Sequence, residues 1–497
     1  MEYFENVTPE SVGIASSGII NFIDDVRKKG IEQHSLMIIR HGKCCAKGWW
    51  KPYGPEYLHP LYSFSKTFTA TAIGFAEQEG LLSLDEKLVD LFPDKLPEEV
   101  SENLREVTLH DLLIMGCGHE TEIDGLSPDW IREFLAHPFL HKPGTFYKYN
   151  TAGTNMLAAV LKRKTGQDVT EFLRPRLLDP LGIDTLYCYH LPDEDSTELG
   201  GGGMKLTTEN MARFTYFLLH KGNWEGRQLL NKDWFDRACT KQIETANDSE
   251  GHTDEWANGY GYQCWMCSLP ESFRADGAYG QFGFVYPTLD MIVVMTSATD
   301  RTQALIDSMM DYLIPAVHDQ VLAESEDSGK LSLLLENLSL PVCAGDRCPV
   351  MEKRLNGQIY LTTAVSPEQG CSSMEILIGG SGNFDLFRGE ITRMSFSVKD
   401  DCIYWKVYEN QETREIAASL AHRFEISSTN GILYAASARW RSFGVLEMEI
   451  RRLDALSGSR IIFRFSENGL TLTSDDTLVT AGGLGLFPKQ TVPFRLE

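Results

Sequence analysis

From residue 358 to the C-terminus nearly every segment reads as a short strand, and that pattern limits what this part of the chain can build. The runs 358–363, 374–378, 393–398, 402–408, 424–427, 431–437, 444–451, 460–466 and 470–473 are divided by Gly, Asn and Asp turns. Short strands at such spacing close into a barrel or stack as a sandwich. A polar, aperiodic stretch at 323–330 precedes them and is read as the domain boundary. Two domains are therefore expected, 1–325 and 331–497, in a chain of 497 residues, and each is long enough to bury its own core.

The first domain mixes periods. A helix is expected at 11–29, then strands at 35–40 and 43–50 joined by the tight turn His41-Gly42. Helices follow at 85–91, 108–115, 129–136, 151–165 and 208–220. Strands return at 260–268, 280–286 and 291–297, and a helix at 303–317 closes the domain. Gly200 to Gly203 reads as a flexible loop, because no strand–Gly–helix phosphate-binding spacing surrounds it.

Composition excludes some partners. The net charge is −24, from 46 basic and 70 acidic residues, which disfavours nucleic acid and anionic membranes. No apolar run approaches the roughly 18 residues of a spanning helix, and the N-terminus lacks a signal-peptide pattern. Eleven scattered cysteines, two of them adjacent (Cys44 and Cys45), fit free thiols in a reducing cytoplasm. Cys264 and Cys267 lack a second ligand pair and read as structural.

The chemistry concentrates at Ser63-Phe64-Ser65-Lys66. A serine hydroxyl needs a base within hydrogen-bond reach to become a useful nucleophile. Residues three apart on a helix share a face, so Lys66 delivers an amine to Ser63. The run that follows places Phe68, Ala72, Phe75 and Ala76 on one apolar stripe, and Gly80 ends the helix.

Together with their flanks these residues resemble the serine β-lactamase and penicillin-binding superfamily, most closely its class C-like branch of esterases, amidases and peptidases. The resemblance covers about residues 5 to 320. It rests on Arg40-His41-Gly42-Lys43 with Trp49 to Tyr53, on Ser63 and Lys66, on Leu112 to His119, and on Pro143-Gly144 followed by Tyr149-Asn150-Thr151. It implies an α/β (α+β) fold in which an antiparallel sheet is flanked by helices, with a mostly helical inserted region. The C-terminal all-β part would then be a lipocalin-like barrel or a sandwich. Ser63 takes the place of the family's nucleophile, Lys66 its partner base and Tyr149 the proton-relaying phenol. Tyr147 is the rival for that phenol. Thr151 stands where the family's Tyr-x-Asn motif has Asn and lacks its amide, with Asn150 beside it as the alternative substrate contact; Thr151 by itself reads as a helix cap before a substrate contact. His119 either lines the pocket or is a satisfied histidine beside a glycine turn.

The family's third motif aligns with Ala275-Asp276-Gly277, where its cationic or imidazole group is absent. Asp276 would repel a substrate carboxylate, and Gly277 would let substrate approach the strand. The backbone N–H groups of Ser63 and Ala278 would form an oxyanion hole, which needs no particular side chain. Trp256, Tyr260 and Tyr262 either wall an acyl pocket or pack the sheet, and packing is the preferred reading. The expected function is two-step acyl transfer to water from a small ester or amide, with no metal or organic cofactor and with self-association left open. The alternatives are an acyltransferase using the same intermediate, a true β-lactamase or D-amino-acid peptidase, and a non-catalytic binding protein on this fold.

Overall fold

The computed structural model describes residues 3–123, 125, 127–184, 186–246, 254–362, 391–409, 412–456, 458–475 and 491–497. The chain divides into two compact units. The first comprises Met1–Gly48, Pro60–Thr296 and Arg301–Glu336, and the second Trp49–His59, Ser297–Asp300 and Asn337–Glu497.

The first unit is built on a seven-stranded sheet. Its strands in chain order are β1 (Glu5–Asn6), β2 (Glu32–Arg40), β3 (Lys43–Trp49), β4 (Trp265–Met266), β5 (Phe273–Gly277), β6 (Gln281–Tyr286) and β7 (Met291–Ala298). Their spatial order is β1-β3-β2-β7-β6-β5-β4. Strands β4 to β7 pair antiparallel, and the short edge strand β1 runs parallel to β3. The β2–β3 turn is tight because His41 and Gly42 both take positive φ, 51° and 72°. The expected mixed α/β fold with an antiparallel sheet is the one observed.

The longer helices of this unit include α1 (Ser16–Lys28), α2 (Ser65–Gln78), α3 (Thr151–Thr165) and α4 (Thr208–Leu219). A single apolar stripe is expected on α2, yet every residue from Ser65 to Ala76 is buried. Small residues make this enclosure feasible. A Cβ at Gly74 would lie 2.6 Å from Trp234. The buried threonines are satisfied in turn, Thr67 donating to the Gln263 carbonyl, Thr69 to Gly200 and Thr71 to Thr67. Gly80 ends the helix at φ +70°.

Three expectations are corrected. Only Trp265–Met266 of the expected strand 260–268 is extended, because Gly259 and Gln263 take positive φ (102° and 57°) and break the run. The closing helix is regular over Thr302–Ser308 and then widens into a π turn, Met309–Leu313, before Pro315. The polar stretch around 323–330 is not all linker. Glu326–Glu336 is a helix, α5, lying against α1, and its periodicity is faint because Leu331 is its one buried residue.

Among its described residues the second unit forms a ten-stranded barrel. Its strands are β8 (Ile359–Thr362), β9 (Ile391–Lys399), β10 (Cys402–Glu409), β11 (Glu412–Ser419), β12 (Glu425–Thr429), β13 (Ile432–Ser442), β14 (Val445–Arg452), β15 (Gly458–Phe465), β16 (Gly469–Asp475) and β17 (Thr491–Leu496). Neighbours pair antiparallel in the order β11-β10-β9-β8-β17-β16-β15-β14-β13-β12. A short parallel pairing of β11 with β13, Ala418 to Ala436 and Ser419 to Ser437, closes the ring. Beside that seam the Glu415 and Ala417 amides of β11 donate to the hydroxyls of Thr429 and Ser427. The interior is packed with Phe396, Trp405, Tyr434, Met448, Ile450 and Phe463. The choice between barrel and sandwich is thus resolved as a barrel. Strands β11 and β17 were not anticipated, and the expected strand 374–378 lies outside the described residues. No helix among the described residues is long and apolar enough to cross a membrane.

Candidate active site

Ser63 sits in a single 3₁₀ turn, Tyr62–Phe64, immediately before α2. The Leu61 N–H donates to the Met204 carbonyl at 2.9 Å, and Phe64 N–H to Leu61 at 3.2 Å, which fixes the turn. Tyr62 takes φ 49°, a left-handed conformation uncommon for a bulky residue. The turn leaves Ser63 partly exposed above the buried helix.

Lys66 follows one turn later and is 1% exposed. Its Nζ is 3.2 Å from Ser63 Oγ, 3.3 Å from Thr151 Oγ1 and 2.5 Å from the Gly201 carbonyl oxygen. Burial pushes its pKa down to about 7, against a smaller upward pull from Glu122. At that value a substantial fraction is neutral amine near neutral pH. A neutral amine keeps two N–H donors for Thr151 and Gly201 and presents a lone pair to the serine proton.

The Lys66 nitrogen also lies 5.1 Å from the centroid of the Tyr149 ring. Tyr149 is held by an offset stack on Trp265 (5.8 Å, 14°) and an edge contact with Tyr260 (6.3 Å, 86°). Tyr147 is buried and packs on Tyr260 and Trp265 at 5.6 and 5.8 Å. Of the two phenols, Tyr149 is the one whose ring lies beneath the Lys66 nitrogen.

Asn150 and Thr151 part company. Asn150 is the N-cap of α3, its Oδ1 accepting the Gly153 N–H at 2.9 Å. Its Nδ2 lies 3.1 Å from His119 Nδ1, so that nitrogen is assigned as the acceptor. His119 is fully buried, between Phe134 (4.6 Å) and Phe139 (4.1 Å). Burial lowers its pKa to about 3, so the ring is neutral. Both side chains belong to the packing beneath the site. Thr151, the first residue of α3, turns its hydroxyl to Lys66, and its N–H donates to the Glu122 carboxylate.

The glycine tract 200–203, expected to be a flexible loop, is part of the site. Gly201 N–H donates to Asn155 Oδ1 at 2.9 Å while its carbonyl accepts from Lys66. A Cβ at Gly201 would lie 2.6 Å from Thr151 Cγ2. The sequence clue is the exclusion of every side chain from four consecutive positions, which signals close backbone approach. Gln263 was also missed. Its Nε2 donates to the Leu112 and Leu113 carbonyls at 3.0 and 2.9 Å, and its Oε1 accepts from Thr154 at 2.6 Å. It joins the segment before His119 to α3.

Strand β5 ends against the turn that carries Ser63. A Cβ at Gly277 would come 2.1 Å from the Leu61 carbonyl oxygen, so only glycine fits there. Ala278 is exposed in the turn that follows, Tyr279 has φ 65°, and Gln281 Nε2 donates to the Ala278 carbonyl at 3.2 Å. Asp276 does not stand alone. Arg274 Nε donates to its Oδ2 at 2.8 Å, and Arg274 is wholly buried with its guanidinium 4.8 Å over the Trp256 ring. Burial raises the Asp276 pKa, with Arg274 pulling the other way. Trp256 and Tyr260 therefore do pack, as expected.

The family model described as beta-lactamase matches residues 19–309. The 6-aminohexanoate-dimer hydrolase of Paenarthrobacter ureafaciens is 23% identical over 288 residues, covering 53% of this chain and 72% of that protein. The lovastatin esterase of Penicillium rubens is 26% identical over 162 residues, 27% of this chain and 40% of that one. Among solved structures, a putative beta-lactamase from Bacteroides dorei superposes with a TM-score of 0.52 at 15% identity, over 61% of this chain and 99% of that chain. That likeness concerns the fold.

Proposed function

The chain belongs to the beta-lactamase family, and from that premise we propose that it is a class C-like serine hydrolase acting on a small ester or amide. The observation that carries this reading is the 3.2 Å approach of a buried Lys66 amine, with a pKa of about 7, to Ser63 Oγ. Ser63 Oγ attacks the substrate carbonyl carbon and passes its proton to Lys66. Tyr149, beneath that amine, relays a proton to the leaving alcohol or amine. The oxyanion rests on the N–H groups of Ser63 and Ala278. Water, deprotonated by the same pair, then attacks the acyl-enzyme, releases the acid and returns the proton to Ser63.

Gly201 and Thr151 hold the Lys66 nitrogen in place. Asn150 and His119 position the start of α3. Asp276, tied to Arg274, shapes the wall as part of a buried ion pair in which the guanidinium offsets the carboxylate's charge. Catalysis is assigned to the first domain, 1–325, and the β domain, 331–497, is accessory to it.

The test is hydrolysis of a short p-nitrophenyl ester by wild type and Ser63→Ala, together with labelling by a fluorophosphonate. Activity and labelling that vanish in the variant support the reading. Activity that persists without Ser63 refutes it.

A further inference from the structure

The residue before the proposed nucleophile and the residue after the proposed second oxyanion donor are both tyrosines in left-handed conformations. Tyr62 has φ 49° and Tyr279 has φ 65°. Such a backbone disfavours bulky side chains, and turn chemistry alone would place Gly or Asn at each position. The two rings meet edge to face, 5.3 Å apart at 76°. That geometry is a favourable aromatic contact. It spans the gap between the nucleophile turn and the β5–β6 turn, beside the point where Gly277 comes up against the Leu61 carbonyl.

We propose that the Tyr62–Tyr279 ring pair is a clamp that sets the separation of the Ser63 and Ala278 backbone N–H groups; this rests on the reading of Ser63 as nucleophile. Each ring is one residue from a donor. Strained backbone persists where surrounding contacts over-determine it, and such strain gathers at functional sites. Here the over-determining contact is the ring pair, reinforced at one end by Gln281 on the Ala278 carbonyl. Tyr62 and Tyr279 are positioning residues. They act through the backbone, so the rings matter and the hydroxyls do not.

The experiment uses the full chain with Tyr279→Phe and Tyr279→Asn. Phe keeps the ring, whereas Asn removes it but tolerates the left-handed conformation. The readouts are kcat and KM on a p-nitrophenyl ester, inhibition by an arylboronic acid whose tetrahedral adduct places an oxygen between the donors, and melting temperature. Tyr279→Asn is expected to lose about tenfold to a hundredfold in kcat with little change in KM, and to weaken the boronic acid in parallel. Tyr279→Phe is expected to stay close to wild type. If Tyr279→Asn does not fold, Tyr279→Gly carries the same readouts. Unimpaired boronic acid binding and kcat in the ringless variant overturn the clamp, as does a Phe variant that falls as far as Asn. A wild type that no fluorophosphonate labels at Ser63 instead overturns the nucleophile reading.

Discussion

The Gly201 carbonyl accepts a hydrogen bond from Lys66 Nζ at 2.5 Å, which makes a main-chain oxygen a fixed partner of the proposed base. Any side chain at 201 would displace it, since a Cβ would meet Thr151 Cγ2 at 2.6 Å and the Thr151 carbonyl oxygen at 3.0 Å. Gly201→Ala is expected to lower kcat by about tenfold or more, because small misplacements of catalytic groups are costly. Steady-state ester hydrolysis, with circular dichroism to confirm folding, checks this.

Esterase activity should rise with pH through about 7, where Lys66 loses its proton. Below that pH the ammonium cannot accept the Ser63 proton, and above it the amine can. The same shift, down from an ordinary 10.5, has a stability consequence. Between about pH 7 and 10.5 the unfolded chain binds the extra proton, so this group's contribution rises with pH across that window. Its cost is fully present below 7. Lys66→Met should abolish activity and, at neutral pH, raise the melting temperature.

Tyr149→Phe should reduce kcat by about a hundredfold, the scale of general acid–base assistance. Tyr147→Phe should leave kcat within about threefold of wild type, because its ring is packed on Tyr260 and Trp265 while the Lys66 nitrogen lies over Tyr149. Parallel kinetics on the two variants separate the phenols. Equal losses would remove Tyr149 from its special role.

Asp276→Ala should destabilise the first unit by about 3 kcal/mol, because it removes the nearer carboxylate from a buried guanidinium and leaves, among the described residues, only Glu255, 3.8 Å away. Asp276→Asn keeps an acceptor for the Arg274 N–H and should cost less. Urea unfolding of both variants gives the comparison.

His119 makes the protein acid-sensitive. Its folded pKa of about 3 lies below an ordinary 6.5, so the unfolded chain takes up the proton first as pH falls. Stability therefore drops between about pH 6.5 and 3, and the contribution is intact above 6.5. His119→Gln should flatten the fall in melting temperature between pH 7 and 4, measured by calorimetry.

Local relations were legible in the sequence and distant ones were not. The 151–165 helix and the His41-Gly42 turn depend on neighbours in the chain, and both appear where expected. Ser63 and Lys66 are likewise linked by three residues of backbone. Strand β11 was missed because Glu-Thr-Arg-Glu-Ile-Ala-Ala-Ser favours helix by propensity, which pairing with β10 overrides. The Gly201 acceptor is 135 residues from Lys66 and the Gln263 bridge about 150 from Leu112, separations that no periodicity reports. The tie between Arg274 and Asp276 was within reach, since residues two apart share a strand face.

The hydroxyls of Ser427 and Thr429 occupy two β11 amides at the point where the barrel joins itself. An open strand edge is a template on which a second chain can add. With those amides taken and the seam closed beside them, these two groups are already satisfied within the barrel and are not left open for a second strand to pair with.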